Sequence, residues 1–464
     1  MSPTTVLDRT PWLAAHGSDA RVHAVTDPWP EHHILSGLQR AGAIGSAAAL
    51  FDAGRGRYHV AVEVRGTVAG WPGVVHGGLS AKLCDEAAVE LLRAMGRSAT
   101  VAASARRSVV NYRAKVPTSS LVVVTAQLDS DGASDDGSYV VHARIHDGTD
   151  PDAAPPFVEC TVTLTPAASA ANSARALPER TSDRYEASTH AARAAAAPKH
   201  ISTLAEESER DQGPDWLRTD ATPWLRGVVD AEDSYAGTGS GFLVGALYRK
   251  ADRTSPHHLF TAVARAGLSR ETAVVYERAR RRCHVAMPVL EGACGHGAGR
   301  VHTGVLSALS DETLGTLVFA MKLEGVIPAV PSFTARLEVE HVEEPEAPSL
   351  LVCSADLVSV EGRKIWVQCT VHDGAGGPDG GKVYARAKAL FVQMNTRPDK
   401  ILKAVVGAAW DNVARRGKHV LSTITAAQKR SDHVGLLGPS LVALGAIAIS
   451  LRAGVFHALT AAAP

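Results

Sequence analysis

The sequence predicts an α+β protein of two similar halves, each an antiparallel sheet wrapped around a central helix. Three observations carry this prediction. Gly73-Val74-Val75-His76-Gly77-Gly78 is followed by Asp85, nine positions after the His, and Val301-His302-Thr303-Gly304 is followed by Asp311 at the same distance. Both turns open onto an apolar run of helical character, and each run is followed by four strand-like runs. Two further echoes support a tandem duplication. His146-Asp147-Gly148 and His372-Asp373-Gly374 share the 226-residue offset of the two turns (372 − 146; 302 − 76), and Thr10-Pro11-Trp12-Leu13 returns as Thr222-Pro223-Trp224-Leu225.

In chain order, residues near 10–58 read as a helical lead-in and 59–64 as a first strand. The helix 79–95 carries Leu79, Leu83, Ala87, Leu91 and Met95 at every fourth position, an apolar stripe with helical spacing. The runs 108–116, 121–128, 139–146 and 157–165 are rich in Val, Thr or Tyr with partial alternation, as strands are. The second half repeats the order: strand 284–289, helix 306–321, then strands 334–342, 350–358, 365–372 and 383–392. The resulting organisation is a first domain at 1–166, a linker at 167–217 rich in Ala, Ser, Arg and Glu, a second domain at 218–395, and a tail at 396–464. In the tail, Ile401, Val405, Ala409 and Val413 form one face of an amphipathic helix. The 18 residues 434–451 carry no charge, which leaves a membrane span and a docked helix both open.

Lys+Arg and Asp+Glu both number 48 among 464 residues, which argues against a nucleic-acid surface and gives no general attraction to anionic membranes. Six scattered Cys with no C-x-x-C pair fit a reducing compartment, cytoplasmic or organelle-facing, and not a disulfide scaffold or zinc site. The N-terminus has no apolar h-region, so secretion is not expected.

A Gly pair entering a helix leaves backbone N–H groups unsatisfied, and with the helix dipole behind them they suit a carbonyl oxygen that becomes negative during attack. The bland alternative for His76, Gly77 and Gly78 is a strand-to-helix turn needing positive φ. Asp85 lies seven residues beyond Gly78, about 10 Å along the axis. A reacting carbon must lie roughly 3 Å from both base and oxyanion donors, so one helix cannot supply both. An antiparallel second copy can, which crosses the sites: His76, Gly77 and Gly78 with Asp311, and His302, Thr303 and Gly304 with Asp85. Glu86 and Glu312 point about 100° away from each Asp and read as structural.

Val75-His76-Gly77-Gly78-Leu79, Asp85-Glu86-Ala87, Val110-Asn111-Tyr112-Arg113 and Val116-Pro117 together resemble the hotdog-fold acyl-CoA thioesterases of the phenylacetate-pathway and thioesterase-superfamily-member type. In the second half Thr303 replaces the middle Gly, and no Asn-Tyr-Arg follows. The resemblance implies a double hotdog and hydrolysis of a fatty or aryl acyl-CoA to free acid and CoA. Asp311 or Asp85 would act as base or nucleophile, and Asn111 and Tyr112 would contact substrate. It implies no metal or redox cofactor. A homodimer of double hotdogs and a tethering tail stay open. Related enzymes carry a Thr on the strand after the helix, seven residues before the Tyr, that positions water. That places Thr334 in the second half and Ala105 in the first, with Ser104 and Ser108 nearby. Site two, with Thr303 and Ala105, is therefore expected to be weak. The rival class is a non-catalytic acyl-CoA-binding or scaffold protein.

Other signals read as bland. Gly237-Thr238-Gly239-Ser240-Gly241 lacks a preceding apolar strand and a closing Lys, and reads as a flexible loop. His32-His33 and His257-His258 lack acidic or Cys partners at ligand spacing and read as surface or loop residues.

Overall fold

The computed structural model describes residues 9–16, 22–25, 29, 31, 33–71, 73–97, 105–134, 137–148, 152, 155–165, 206, 208–209, 212–239, 258–295 and 299–394. The chain divides into two units, Met1–Met394 and Asn395–Pro464. The tail, with both its helix readings, and most of the expected linker lie outside the described residues.

The first half contains helices α1 (Pro11–His16), α2 (Ile34–Arg40) and α3 (Gly77–Ala94). Its strands are β1 (Val22–Val25), β2 (Ile44–Asp52), β3 (Arg57–Val64), β4 (Ala69–Trp71), β5 (Val74–Val75), β6 (Ala105–Tyr112), β7 (Ser120–Ala133), β8 (Tyr139–His146) and β9 (Val158–Leu164). The second contains α4 (Pro223–Val229), α5 (Leu259–Arg265) and α6 (Thr303–Leu323), with β10 (Ser234–Thr238), β11 (Ala273–Glu277), β12 (Arg282–Val289), β13 (Ser332–His341), β14 (Ser349–Glu361), β15 (Lys364–His372) and β16 (Val383–Gln393). Fourteen strands form one antiparallel sheet in the order β1-β2-β3-β7-β8-β9-β6-β13-β16-β15-β14-β12-β11-β10. Read from either end, this is the same sequence of equivalent strands. β4 and β5 pair separately.

The half-sheets join edge to edge through β6 and β13. There Arg336 faces Asn111 and Leu337 faces Val110, two pairs that exchange under the 226-residue offset. Along β9, buried and half-buried residues alternate strictly, because one face of the strand lies on the central helix. α3 and α6 are each enclosed by their own half-sheet and pack on each other. Little of either meets water: 18 of the 21 residues of α6 are buried, which is why its apolar residues appear on nearly every side. Gly78 of α3 meets Ala308, and Gly304 of α6 meets Lys82, so the two helices run antiparallel.

Four details depart from the sequence reading. The lead-in holds strands β1 and β2 as well as short helices, and β11 adds a strand ahead of β12 in the second half. The Ala, Gly and Ser of Ile44–Asp52 hide strand character that comes from pairing with β3. Gly237 and Thr238 belong to edge strand β10 and not to a flexible loop. The packed part of the second half begins before residue 218, since Trp216 and Leu217 are buried and Trp216 donates its indole N–H to Glu271 O at 2.8 Å. Among the described residues no helix is long and apolar enough to cross a membrane.

Candidate active site

His76 caps α3 and His302 caps α6. Each Nδ1 accepts the N–H two residues on, from Gly78 at 3.0 Å and from Gly304 at 2.8 Å, satisfying one of the donors that every helix start leaves free. Neither Gly77 nor Gly78 adopts a positive φ; space, not backbone conformation, calls for glycine there. An ideal Cβ on Gly78 would fall 2.3 Å from Ala308 Cα, and one on Gly77 would fall 2.7 Å from Asp311 Oδ2 and 3.1 Å from Tyr112 Oη.

Asp311 reaches the turn of the opposite half. Its Oδ2 accepts the Gly78 N–H at 3.0 Å, and its Oδ1 accepts the Thr334 hydroxyl at 3.1 Å. Burial raises the Asp311 carboxyl above its ordinary range, against the pull of His76, Thr334 and the Gly78 N–H. Tyr112 donates its hydroxyl to Gly77 O at 2.9 Å. Asn111 is next to it on β6, and strand alternation turns it to the opposite face from the helix-facing Ser108, Val110 and Tyr112. The structure thus brings Tyr112, and not Asn111, to the turn.

The Glu after each Asp anchors the opposite cap. Glu312 Oε2 lies 3.1 Å from His76 Nε2 and 3.5 Å from His258 Nε2; Glu86 Oε2 lies 2.8 Å from His302 Nε2 and 3.2 Å from His33 Nε2. His33 and His258 are therefore not surface residues. His33 is fully buried, and each caps a short helix, α2 or α5, while its other nitrogen faces the Glu. Their signal in the sequence was the pairing of His32-His33-Ile34 with His257-His258-Leu259 ahead of an apolar run. Their acidic partners, remote along the chain, gave no such signal.

Each His-Glu-His group brings three ligand-type atoms within 4.8 Å of one another. The caps argue against a cation. All four Nδ1 atoms accept backbone N–H groups, from Leu35, Gly78, Phe260 and Gly304, so each ring proton sits on Nε2, and those of His76 and His302 meet the carboxylate. Burial alone would raise Glu312, but the two imidazoles, His258 first, hold it well below the ordinary carboxylate range. Burial disfavours charge on His76, yet its bond to Glu312 and the charges of Asp311 and Glu312 raise its affinity for a second proton. That proton would have to displace the Gly78 N–H from Nδ1, so the capped geometry favours the neutral ring.

The second crossing is built differently. Asp85 Oδ1 accepts the Ser108 hydroxyl at 2.5 Å, and Asp85 Oδ2 has no hydrogen-bond partner. The residue equivalent to Thr334 is Ser108 (334 − 226), and not Ala105. A hydroxyl is thus present at both sites, and aligning by the Tyr misplaced it by three residues. Thr303 occupies the place of Gly77, where a Cβ would collide with an Asp in the position of Asp311. Burial pushes Asp85 up to about 7, against the Ser108 bond and the Lys82 charge. His302 is driven well below its ordinary value by burial and by Lys82. A hollow of about 580 Å³ bounded by Trp12, Pro117 and Phe157 is lined by none of these site residues.

Residues 72–154, which include the first turn, Asp85 and β6 to β8, match the model of the thioesterase superfamily. The chain is 29% identical over 160 residues to acyl-coenzyme A thioesterase THEM4 of Rattus norvegicus, covering 34% of this chain and 63% of that protein. It is 29% identical over 161 residues to the Mus musculus protein of the same name, with the same coverage. The chain thus spans under two thirds of the length of these relatives. Similar solved structures include an acyl-CoA thioesterase II from Mycobacterium marinum (TM-score 0.35, 12% identity, 74% of this chain and 94% of that one). Another is a 12:0-ACP thioesterase from Umbellularia californica (TM-score 0.37, 10% identity, 73% and 95%).

Proposed function

We propose that this chain, with its thioesterase-superfamily segment at residues 72–154, hydrolyses acyl-CoA thioesters to free acid and CoA. The site would combine His76, Gly77 and Gly78 of one half with Asp311 and Thr334 of the other. One observation carries the reading: the Asp311 carboxylate meets the Gly78 N–H at 3.0 Å. A base and an oxyanion donor this close satisfy the need for both to lie roughly 3 Å from one reacting carbon.

In this reading the thioester carbonyl oxygen takes the Gly78 N–H at the positive end of α3, where negative charge developing on oxygen is stabilised. Asp311 either takes a proton from water or attacks the carbon itself; Thr334 holds the carboxylate in orientation. With water as nucleophile, a C–O bond forms, the C–S bond breaks, and CoA leaves and takes up the proton; with Asp311 as nucleophile, the C–S bond breaks as a mixed anhydride forms, and water then cleaves that anhydride, releasing the acid and restoring the carboxylate. The acyl chain would follow the seam between α3 and α6.

The test is release of free thiol from short, long and aryl acyl-CoA by purified protein, with Asp311→Ala as control. Hydrolysis lost in the variant is expected. Tight binding of acyl-CoA without thiol release would overturn the reading in favour of a non-catalytic acyl-CoA-binding protein. One observation favours that second reading: the Gly78 N–H is already shared between His76 Nδ1 and Asp311 Oδ2, and must release one acceptor to receive a carbonyl.

A further inference from the structure

The two crossings differ most at one pair of positions. Lys82 stands 226 residues before Ala308 (308 − 82), as Gly78 stands before Gly304. Ala308 lies against Gly78 with its Cα, 2.3 Å from an ideal Cβ there, and its one methyl, at 2.8 Å. Lys82 lies against Gly304 with three carbons of its stem: an ideal Cβ on Gly304 would fall 2.5 Å from Lys82 Cδ, 2.7 Å from Cγ and 2.8 Å from Cβ. Lys82 is only 3% exposed. Its Nζ lies 3.5 Å from Glu86 Oε2, the carboxylate that also faces His33 and His302, and makes no shorter hydrogen bond. Beside it Asp85 Oδ2 is buried and without a hydrogen-bond partner.

We propose that Lys82 fills the thioester pocket of the second crossing, so that each chain offers one acyl-CoA site and not two, and that shortening this side chain opens the second. This rests on the acyl-CoA reading above. A Lys stem has four methylenes, and its removal leaves an apolar gap against a capped turn like that at Gly78. The ammonium is tolerated there because Glu86 faces it; burial still lowers it to about 8. Thr303 is a separate obstacle, since it stands where Asp85 would have to approach Gly304. Opening the pocket should therefore add binding without adding hydrolysis.

The experiment is calorimetric titration with S-octyl-CoA, a thioether that cannot be hydrolysed. Wild type and Lys82→Met, which keeps the bulk, should bind one molecule per chain, and Lys82→Ala two. Two bound by wild type, one by folded Lys82→Ala, or two by Lys82→Met would each overturn the proposal. A second arm uses no CoA. Lys82→Cys and Ala308→Cys should react with butyl methanethiosulfonate at least about tenfold faster than the six native thiols, all buried. If S-octyl-CoA binds no form of the protein, the acyl-CoA reading fails by itself, and labelling decides whether Lys82 closes a pocket. A Cys at position 82 as inert as the native six would show that it does not.

Discussion

Glu312 Oε2 lies 3.1 Å from His76 Nε2, so the residue after the candidate base of one half fixes the helix cap of the other. With the ring proton held on Nε2, Nδ1 stays free to accept the Gly78 N–H, and the turn keeps its shape. Glu312→Gln should preserve the packing and can still place an amide oxygen where Oε2 faces both imidazoles, but it removes the carboxylate charge and brings an NH2 group in place of Oε1. The expected result is a folded enzyme whose kcat falls about tenfold or more, from loss of a charge-assisted bond worth roughly 1.5–3 kcal/mol. Glu312→Ala should go further and lower stability by about 1–3 kcal/mol, because the buried His76 and the half-buried His258 lose their acceptor. Thermal melts beside steady-state kinetics check this; an unchanged kcat in folded Glu312→Gln would leave the triad only a packing role.

Thr334 touches Asp311 through its hydroxyl at 3.1 Å. Thr334→Val keeps the β-branched shape on β13 and removes the donor. Activity should drop by about 10- to 100-fold, mostly in kcat, while Thr334→Ser should retain most of it. Equal losses in Val and Ser variants would point to shape and not to the hydroxyl.

The repeated turn and the Asp nine residues on are short, local signals, which is why the helix pair and its crossing could be read from the sequence. The missed features depend on partners remote in the chain. The acids that face His33 and His258 are remote in the chain: Glu86 and Glu312 approach them only through the fold. Counting back from the Tyr of Asn-Tyr-Arg leads to Ala105 and leaves Ser108 only a neighbour, whereas β6 and β13 keep the 226-residue register. Nothing local in the sequence sets Lys82 apart, because Gly304, which its stem meets, lies far along the chain. Strand β2 is built of small residues whose conformation comes from pairing rather than propensity.

Asp85 should make stability depend on pH in a direction opposite to an ordinary paired carboxylate. Its folded pKa of about 7 exceeds the unfolded value of about 4. Between these values the folded chain holds a proton that the unfolded chain has lost, so this residue's contribution falls as pH rises from about 4 to 7. Above that range the folded state carries the full penalty of a buried carboxylate. Asp85→Asn removes the ionisation. It should therefore stabilise the protein at pH 8 by on the order of 1–3 kcal/mol and have little effect at pH 4.5. Melting curves of both forms at the two pH values test this, and a variant destabilised equally at both would contradict it.

The two aspartates should contribute unequally to catalysis. Asp311 is engaged with both Gly78 N–H and Thr334, whereas Asp85 is bonded to Ser108 alone and is kept from the opposing turn by Thr303. Lys82 further occupies the space beside Gly304. The asymmetry therefore does not come from a missing hydroxyl, since Ser108 supplies one. It comes from two side chains that fill the place of Gly77 and extend the place of Ala308. Loss of a general base typically costs 10²–10⁴-fold in rate. Asp311→Ala should thus remove roughly 99% or more of thioesterase activity, while Asp85→Ala leaves most of it. Thiol release by each folded variant at saturating acyl-CoA decides the matter. Equal losses would mean that both crossings turn over substrate, and the reverse order would mean that Asp85 is the working base.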